Sequence, residues 1–231
     1  MSNNFGKTAR LLTLVFVTGA GTASAESMYQ GGYVEGNLGY AFGPSVDTET
    51  FSGTAGDYTA NDFGLSLDYD DDMSFGFEVG IDLRGPVRIG LGITRFDFDL
   101  DKLSGRGTVS DGTDTIDAGD GSISGSDLAD LGVDTEGHAT LVSFNSYYDF
   151  GEIAGFQPFL GAGIGVIDIK NAKDNELTGS LYAGVKYAFD SGMYIGGRYA
   201  YHLVDDTKDE IGIEYDSFGV SNVSVMLGFD F

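Results

Sequence analysis

The chain of 231 residues contains no cysteine, which excludes disulfide bonds and metal sites built on thiolates. Basic residues are also scarce: 12 lysines and arginines stand against 36 aspartates and glutamates, and the formal net charge is -24. Because contacts to phosphate groups need clustered lysine and arginine, this charge balance excludes nucleic-acid binding.

Long hydrophobic runs are absent beyond residue 25, where no stretch holds 18 or more uninterrupted apolar residues. A transmembrane helix is therefore excluded from that part of the sequence. A closed β-barrel remains the one structure in which the chain could span a membrane, since every backbone polar group must be paired inside the bilayer.

The first 25 residues have the pattern of a secretory signal peptide. Lys7 and Arg10 supply the positive charge, residues 11–17 form a short apolar segment, and Ala23-Ser24-Ala25 matches a cleavage site. An amphipathic helix of a cytosolic protein is the alternative interpretation. We predict a signal peptide at residues 1–25 and a single outer-membrane β-barrel domain at residues 26–231.

Period-two alternation of apolar and small or polar residues is the main structural pattern, in a composition with 37 glycines, 17 phenylalanines, 13 tyrosines and three prolines. Such alternation predicts β-strands. It occurs in eight segments: 33–42, 73–83, 87–100, 140–150, 160–166, 181–189, 195–203 and 222–231. In the third segment the apolar residues change parity between Ile93 and Phe96, which predicts a bulge near Arg95.

The links between these segments alternate in length. Short links at 84–86, 151–155 and 190–192 alternate with longer segments at 43–72, 97–137, 167–176 and 204–216, which hold most of the acidic residues. This order is typical of an eight-stranded antiparallel up-and-down transmembrane β-barrel, with its short turns at the periplasm and its acidic loops outside the cell.

The face opposite the apolar residues is charged and rich in glycine, which would be a poor core for a soluble barrel. We predict that this face points inward and that its charges pair with one another, while glycines make room for large side chains such as Tyr33, Tyr182 and Tyr194. The predicted interior network comprises Glu35, Glu78, Asp82, Arg88, Lys186, Arg198 and Asp230. Aromatic residues near strand ends predict girdles at the membrane interfaces: Tyr40, Phe42, Phe150, Phe189, Tyr201 and Phe231.

Six strings spread over most of the mature chain carry a family resemblance: GYVEGNLGYAF, NSYYDF, QPFLGAGIGV, LYAGVKYAFD, YIGGRYAYH and VSVMLGFDF. In their order they resemble successive strands of the opacity-type and OmpA-like outer-membrane β-barrel family of Gram-negative bacteria. The resemblance implies surroundings of outer-membrane lipids and lipopolysaccharide. It also implies biogenesis through periplasmic chaperones and the barrel assembly machinery, with Phe229 and Phe231 in the assembly signal. The long acidic second loop departs from the family pattern, so no extracellular ligand is carried over.

Histidine is the first candidate for catalysis, and the sequence contains only His138 and His202. The run His138-Ala139-Thr140 resembles the His-x-Ser pair of barrel lipid A deacylases, but threonine replaces serine and the sequence identifies no acidic partner. A solvated loop histidine is the favoured interpretation. We expect no catalytic residues and no enzymatic activity.

Aspartate runs are the candidate for metal binding. The dense run Asp68, Asp70, Asp71 and Asp72 offers hard oxygen ligands to calcium, and Asp111, Asp114, Asp117 and Asp120 recur every third residue. Neither run has EF-hand spacing, and a solvated acidic surface is the favoured interpretation. We therefore expect no cofactor and keep calcium as an alternative.

The sequence as a whole predicts an integral outer-membrane barrel with a structural or surface-interaction role, which displays acidic extracellular loops. A narrow porin-like channel for small solutes is the alternative. Inward tyrosine, arginine and glutamate side chains favour a plugged barrel, because eight strands enclose only enough space for side chains.

Overall fold

The computed structural model describes residues 29–117, 121–208 and 214–231. The predicted signal peptide at residues 1–25 and Asp120 lie outside these ranges. Within them, no helix has the length and apolar character needed to cross a membrane.

The described residues form fifteen strands and one short helix. In chain order these are β1 (Tyr29–Phe42), β2 (Ser45–Asp47), β3 (Phe51–Ala55), β4 (Tyr58–Tyr69), β5 (Asp72–Leu83), β6 (Val87–Ser110), β7 (Thr115–Asp117), β8 (Ser122–Ser124), α1 (Gly125–Asp130), β9 (Glu136–Asp149), β10 (Phe156–Ile169), β11 (Glu176–Ala188), β12 (Met193–Val204), β13 (Thr207–Lys208), β14 (Glu214–Tyr215) and β15 (Phe218–Asp230).

Eight of these strands close into a ring in which every neighbour is antiparallel. The order around the ring is β1, β5, β6, β9, β10, β11, β12 and β15. The last strand then pairs with the first, from Tyr33 opposite Asp230 to Phe42 opposite Ser221. The predicted eight-stranded antiparallel barrel is therefore confirmed.

The end of the chain contributes to this seam. The backbone N–H of Gly32 donates to the carbonyl oxygen of Phe231 at 2.7 Å, and the N–H of Phe231 donates to Gly32 at 2.8 Å. The pairing of β1 with β15 thus extends to the final residue.

The predicted bulge near Arg95 is wrong. β6 keeps a continuous register with β5 up to Ser74 opposite Phe96, and with β9 up to Asp99 opposite Glu136. Phe96 has the parity of an inward residue and is buried. The apolar residues change parity because the barrel interior itself becomes apolar at this level, so no extra residue is inserted in the strand.

The two ends of the barrel differ in their connections. Residues 84–86, 150–155 and 189–192 are the short links, and we call their side the short-turn end; the opposite side is the long-loop end. The first two long connections are largely β-structure rather than open loop. β4 pairs with the second half of β6 from Thr59 opposite Ser110 to Tyr69 opposite Leu100, and we call this sheet, with β2, β3, β7 and β8, the extension.

The third long connection is shorter than expected. Residues 167–176 were predicted as a loop, but β10 continues to Ile169 and β11 begins at Glu176, which leaves residues 170–175 as the link.

The outer wall of the barrel carries a belt of exposed apolar side chains. Each barrel strand contributes to it, for example through Leu38, Phe75, Leu91, Val142, Leu160, Leu181, Ile195 and Val225. At the short-turn end the belt finishes in close aromatic pairs: Tyr148 with Phe150, Phe156 with Tyr187, and Tyr187 with Phe189. Tyr40 and Phe42 form a similar pair near the long-loop end. Exposure of such a belt to water would be unfavourable, whereas contact with lipid acyl chains is favourable.

Candidate functional site

Glu35 on β1 is the centre of one buried charge cluster inside the barrel. Its carboxylate accepts a hydrogen bond from Arg198 at 3.0 Å and another from the Tyr194 hydroxyl at 2.9 Å. Arg88 lies 3.8 Å away on β6, which is opposite the Arg198 strand, β12, in the ring. These donors take the place of the water that the carboxylate loses on burial.

Glu78 on β5 is the centre of a second cluster. Tyr33 donates to one carboxylate oxygen, while Asn145 at 2.7 Å and Tyr147 at 2.8 Å donate to the other. Neutral donors thus hold this carboxylate, and both of its oxygens are engaged.

Asp149 on β9 links two buried bases. Its carboxylate lies 3.1 Å from Arg88 Nε and 3.4 Å from Lys186 Nζ. The guanidinium carbon of Arg88 also lies 4.3 Å from the centre of the Tyr147 ring and 5.0 Å from that of Phe159. Cation–π contacts of this kind contribute more when water is excluded.

The structure therefore brings together five of the seven residues in the predicted network and places two at its edge. Glu35, Arg88 and Arg198 form one connected group, and Lys186 joins it through Asp149. Glu78 is held by Tyr33 and Tyr147, whose rings Arg88 also contacts. Asp82 and Asp230 are half-buried and lie beside these groups near the short-turn end. We call Glu35, Arg88, Asp149, Lys186 and Arg198 the ion-pair network, and Glu78 adjoins it.

Asp149 is the network residue that the sequence-based set omitted. Alternation on β9 places it inward with Asn145 and Tyr147, so the pattern that identified the other charges also indicated Asp149. Its choice of partners depends on register, since it lies beside Arg88 only after β6 and β9 have paired.

Inward glycines provide the space for these large side chains, as predicted. A Cβ atom on Gly80 would lie 2.3 Å from the Tyr33 ring, and one on Gly228 would lie 2.1 Å from the ring of Tyr194. Both distances are far below van der Waals contact, and at Gly80 the backbone oxygen of Ile89 is equally close, so no other residue fits without movement of these groups.

Polar side chains fill the next level toward the long-loop end. The Ser180 hydroxyl and His202 Nδ1 are hydrogen-bonded at 2.8 Å, and Asn222 donates to Ser74. The His202 ring also packs edge-on against Phe96, with 5.2 Å between ring centres. His202 is therefore a buried structural residue of the interior.

An apolar layer closes the interior above this level. It consists of Ala41, Phe96, Ala139, Leu141, Ile167, Val204 and Val220, all buried. The barrel interior is thus charged near the short-turn end, polar at its middle and apolar toward the long-loop end.

The predicted calcium residues have separate hydrogen-bond partners. Asp68 accepts from the Ser45 hydroxyl at 2.6 Å, Asp71 from the backbone N–H of Gly43 at 2.9 Å, and Asp72 from Met73 N–H. Asp70 lies between them in the connection from β4 to β5. In the described parts of the chain, no group of three or more histidine, cysteine, aspartate or glutamate side chains is placed to hold a metal ion. Calcium binding stays a prediction.

The second aspartate run has a local role at its start. Asp111 accepts from the backbone N–H groups of Thr113 and Asp114 at 2.9 and 2.8 Å. These two hydrogen bonds lower the pKa of the Asp111 carboxyl below its usual value. The carboxylate therefore shapes the turn that precedes β7.

His138 lies on β9 rather than in a loop, opposite Asp97 of β6. An acidic neighbour thus exists, which the sequence did not identify. The Asp97 carboxylate is held by Arg95 Nε at 2.9 Å. We retain the prediction that the chain has no catalytic residues.

The closed ring, the apolar outer wall and the charged interior define an eight-stranded transmembrane β-barrel. Two solved structures share this fold. Neisserial surface protein A (NspA) is 12% identical with a TM-score of 0.51, over 87% of this chain and 97% of that one. The outer membrane protein OprG from Pseudomonas aeruginosa is 11% identical with a TM-score of 0.55, over 89% and 98% of the two chains.

Comparisons by sequence give no match. No protein-family model matches the chain. No curated protein matches it either.

Proposed function

We propose that this protein is an integral outer-membrane β-barrel of the opacity-type and OmpA-like kind, with a closed interior and a structural or surface-interaction role. The observation that carries this proposal is the filled interior enclosed by an outer wall that is largely apolar. A barrel built to conduct solutes needs a continuous aqueous path, and two different layers obstruct it here.

The first obstruction is the ion-pair network. Arg88 and Arg198 reach Glu35 from different strands, so their side chains cross the lumen. Above them, the cavity between Asn37, Glu78 and His202 measures about 10 Å³. This is about the space of one water molecule.

The second obstruction is the apolar layer. Leu141, Phe96 and Val204 are at most 1% exposed and pack together. A hydrated ion would have to lose its water shell to pass such a layer. A channel role is therefore the less favoured alternative.

The partners follow from the proposed location. Outer-membrane lipids would contact the apolar belt, and lipopolysaccharide would meet the acidic surface through shared cations. Periplasmic chaperones and the barrel assembly machinery would deliver the chain, with Phe229 and Phe231 as the recognised terminal residues. The two rings are stacked, and Phe231 is 67% exposed, so both are accessible on the outer wall.

The acidic extension is the part that would meet the exterior. It carries most of its carboxylates on exposed positions, and its few bases are engaged, as Arg106 is with Asp47 at 2.9 Å. Such a surface favours cationic partners and repels anionic ones.

Planar-bilayer recording of the purified full chain tests the proposal. We expect no sustained openings, and trypsin protection of the inserted barrel verifies incorporation. The variant Phe96→Gly combined with Leu141→Gly opens the apolar layer alone. Because the ion-pair network still obstructs the lumen, this variant should also show no sustained openings, provided that it keeps heat-modifiable migration. Sustained openings by the unaltered protein would overturn the closed-barrel proposal in favour of the narrow channel.

A further inference from the structure

The long-loop end of the barrel contains a cavity that the closed-barrel role does not use. Its volume is about 220 Å³. The walls come from three directions: Val46 and Tyr69 from the extension, Ile169 and Ala172 from the end of β10 and its link, and Phe98 with Phe218 from β6 and β15.

Backbone hydrogen bonds position these walls. Tyr69 N–H donates to the carbonyl of Pro44 at 3.1 Å, which ties β4 to the segment before β2. Ala172 N–H donates to Ile169 at 3.0 Å and fixes the link. Tyr69 and Phe98 pack edge to face, with 5.3 Å between ring centres. The cavity is therefore built from strands and one short turn that hydrogen bonds and ring packing hold together.

The floor of the cavity is closed. Phe98, Ile169 and Phe218 line the cavity and also pack against the apolar layer beneath it. A molecule that enters from the long-loop end therefore stops at this level. The cavity can therefore bind and retain a molecule, but it offers no path for transport through the barrel.

The charge at the rim selects against anions. Lys170 is the base that lines the cavity, and its ammonium group donates to Asp134 at 2.7 Å and to the carbonyl of Glu136 at 2.8 Å. Its charge is thereby neutralised within a chain of net charge -24. Among the described residues that line this site, an anionic ligand would find no free positive partner.

We propose that this cavity binds a small uncharged apolar molecule, of the size of one aromatic ring or a short alkyl chain. A dry apolar cavity of about 150 Å³ accommodates benzene, so 220 Å³ leaves room for a substituent. Apolar pockets with a few polar groups at the mouth are the usual form of small-molecule sites.

Methyl NMR of the full chain in lipid nanodiscs tests the proposal with two matched probes, benzyl alcohol and benzoate. We expect benzyl alcohol to shift the Val46 and Ile169 methyl signals saturably, and benzoate to need at least tenfold higher concentration. The lipid-facing methyl of Ile164, which is 54% exposed, reports on partition of the probe into the bilayer. Equal responses from Ile164 and Ile169, or equal affinities for the two probes, would overturn the proposal.

Three variants sharpen the test. Ala172→Trp fills the cavity and should weaken benzyl alcohol binding at least tenfold, whereas Lys173→Trp, one residue further on an exposed position, should leave it within twofold. Asp134→Asn frees the Lys170 charge and should improve benzoate binding at least threefold without change for benzyl alcohol. Unaltered binding in Ala172→Trp would place the probe elsewhere and refute the site. No gain for benzoate in Asp134→Asn would refute the proposed charge selection.

Discussion

At the level of single residues, the buried carboxylates carry the largest desolvation cost in this barrel, and the donors around them offset it. Glu35 accepts from Arg198 and Tyr194, with Arg88 nearby, so both of its oxygens face donors. Removal of one partner from a buried pair usually costs more than the pair contributes, because an uncompensated charge remains.

We therefore expect Glu35→Gln to lower the free energy of unfolding by about 3 kcal/mol, since the buried Arg198 would keep its charge but lose its ion-pair partner. Urea titration in lipid vesicles, followed by the heat-modifiable band shift in gels, measures this loss. Asp82→Asn at the half-buried edge is the control and should cost less. The double variant Glu35→Gln with Arg198→Gln should lose less than the sum of the single variants. Equal unfolding midpoints for Glu35→Gln and the unaltered protein would contradict this account.

The inward position of these charges could be predicted from alternation alone, because neighbouring side chains on a strand point to opposite faces. Which charges pair could not be predicted in this way. Arg88 and Asp149 are 61 positions apart and meet through the register of β6 with β9. The position of Asp97 opposite His138 depends on the same register.

Glycine positions give a second residue-scale prediction. Gly80→Ala would place a methyl group 2.3 Å from the Tyr33 ring, and we expect a loss of about 1–3 kcal/mol through overpacking. Gly36 on β1 has no atom within 4 Å of the position of an added Cβ, so Gly36→Ala is the matched control and should be close to neutral. The same urea titration compares the two. A loss in Gly36→Ala as large as that in Gly80→Ala would argue against interior crowding.

The Asp134–Lys170 pair gives a prediction of pH dependence. The hydrogen bond and charge of Lys170 hold the pKa of the exposed Asp134 carboxyl below its usual value. The contact is therefore fully formed above the ordinary aspartate pKa of about 3.9 and is lost as the pH falls through the lower folded value. Carbon-13 NMR titration of the Asp134 carboxyl measures the midpoint, which should rise in Lys170→Gln. Identical midpoints in the two proteins would contradict the pair.

At the scale of elements, β6 joins the barrel to the extension. Its first part pairs with β5 and β9 inside the ring, and its second part, beyond Asp99, pairs with β4, β7 and β8. The sequence placed β4 within the long link 43–72 and gave no partner for it, because pairing between segments far apart in the chain leaves no local pattern. The predicted bulge was wrong for a related reason: alternation reports which face is apolar, and it cannot separate a slipped strand from an interior that changes character.

Removal of the distal part of this extension should leave the barrel intact. We expect a variant in which a short glycine–serine turn replaces residues 101–134 to keep its heat-modifiable migration, because Asp99 and Glu136 form the last barrel pair and can close the hairpin. Outer-membrane fractionation and gel migration with and without heating measure the outcome. A variant that migrates as unfolded under both conditions would show that the extension is needed to form the barrel.

At the scale of the whole molecule, the distribution of polarity is inverted relative to a soluble barrel. Charged groups such as Glu35 and Arg88 are buried at 1% and 2% exposure, while Leu181 on the outer wall is 58% exposed. This inversion could be predicted from the sequence, since the two faces of each strand differ in composition throughout the chain. In a lipid environment the arrangement costs little, because the belt meets acyl chains and the inward charges meet one another.

The belt supplies a prediction that separates a membrane barrel from a soluble one. Leu181→Lys places a charge midway along β11 on the outer wall, and we expect a loss of about 2–4 kcal/mol in vesicles, as for lysine near the bilayer midplane. Tyr58→Lys is the matched control, since Tyr58 is equally exposed but lies on β4 in the extension, outside the barrel ring. Urea titration in vesicles should show the loss for Leu181→Lys alone. If both variants unfold at the urea concentration of the unaltered protein, the outer wall faces water rather than lipid, and the membrane-barrel account is wrong.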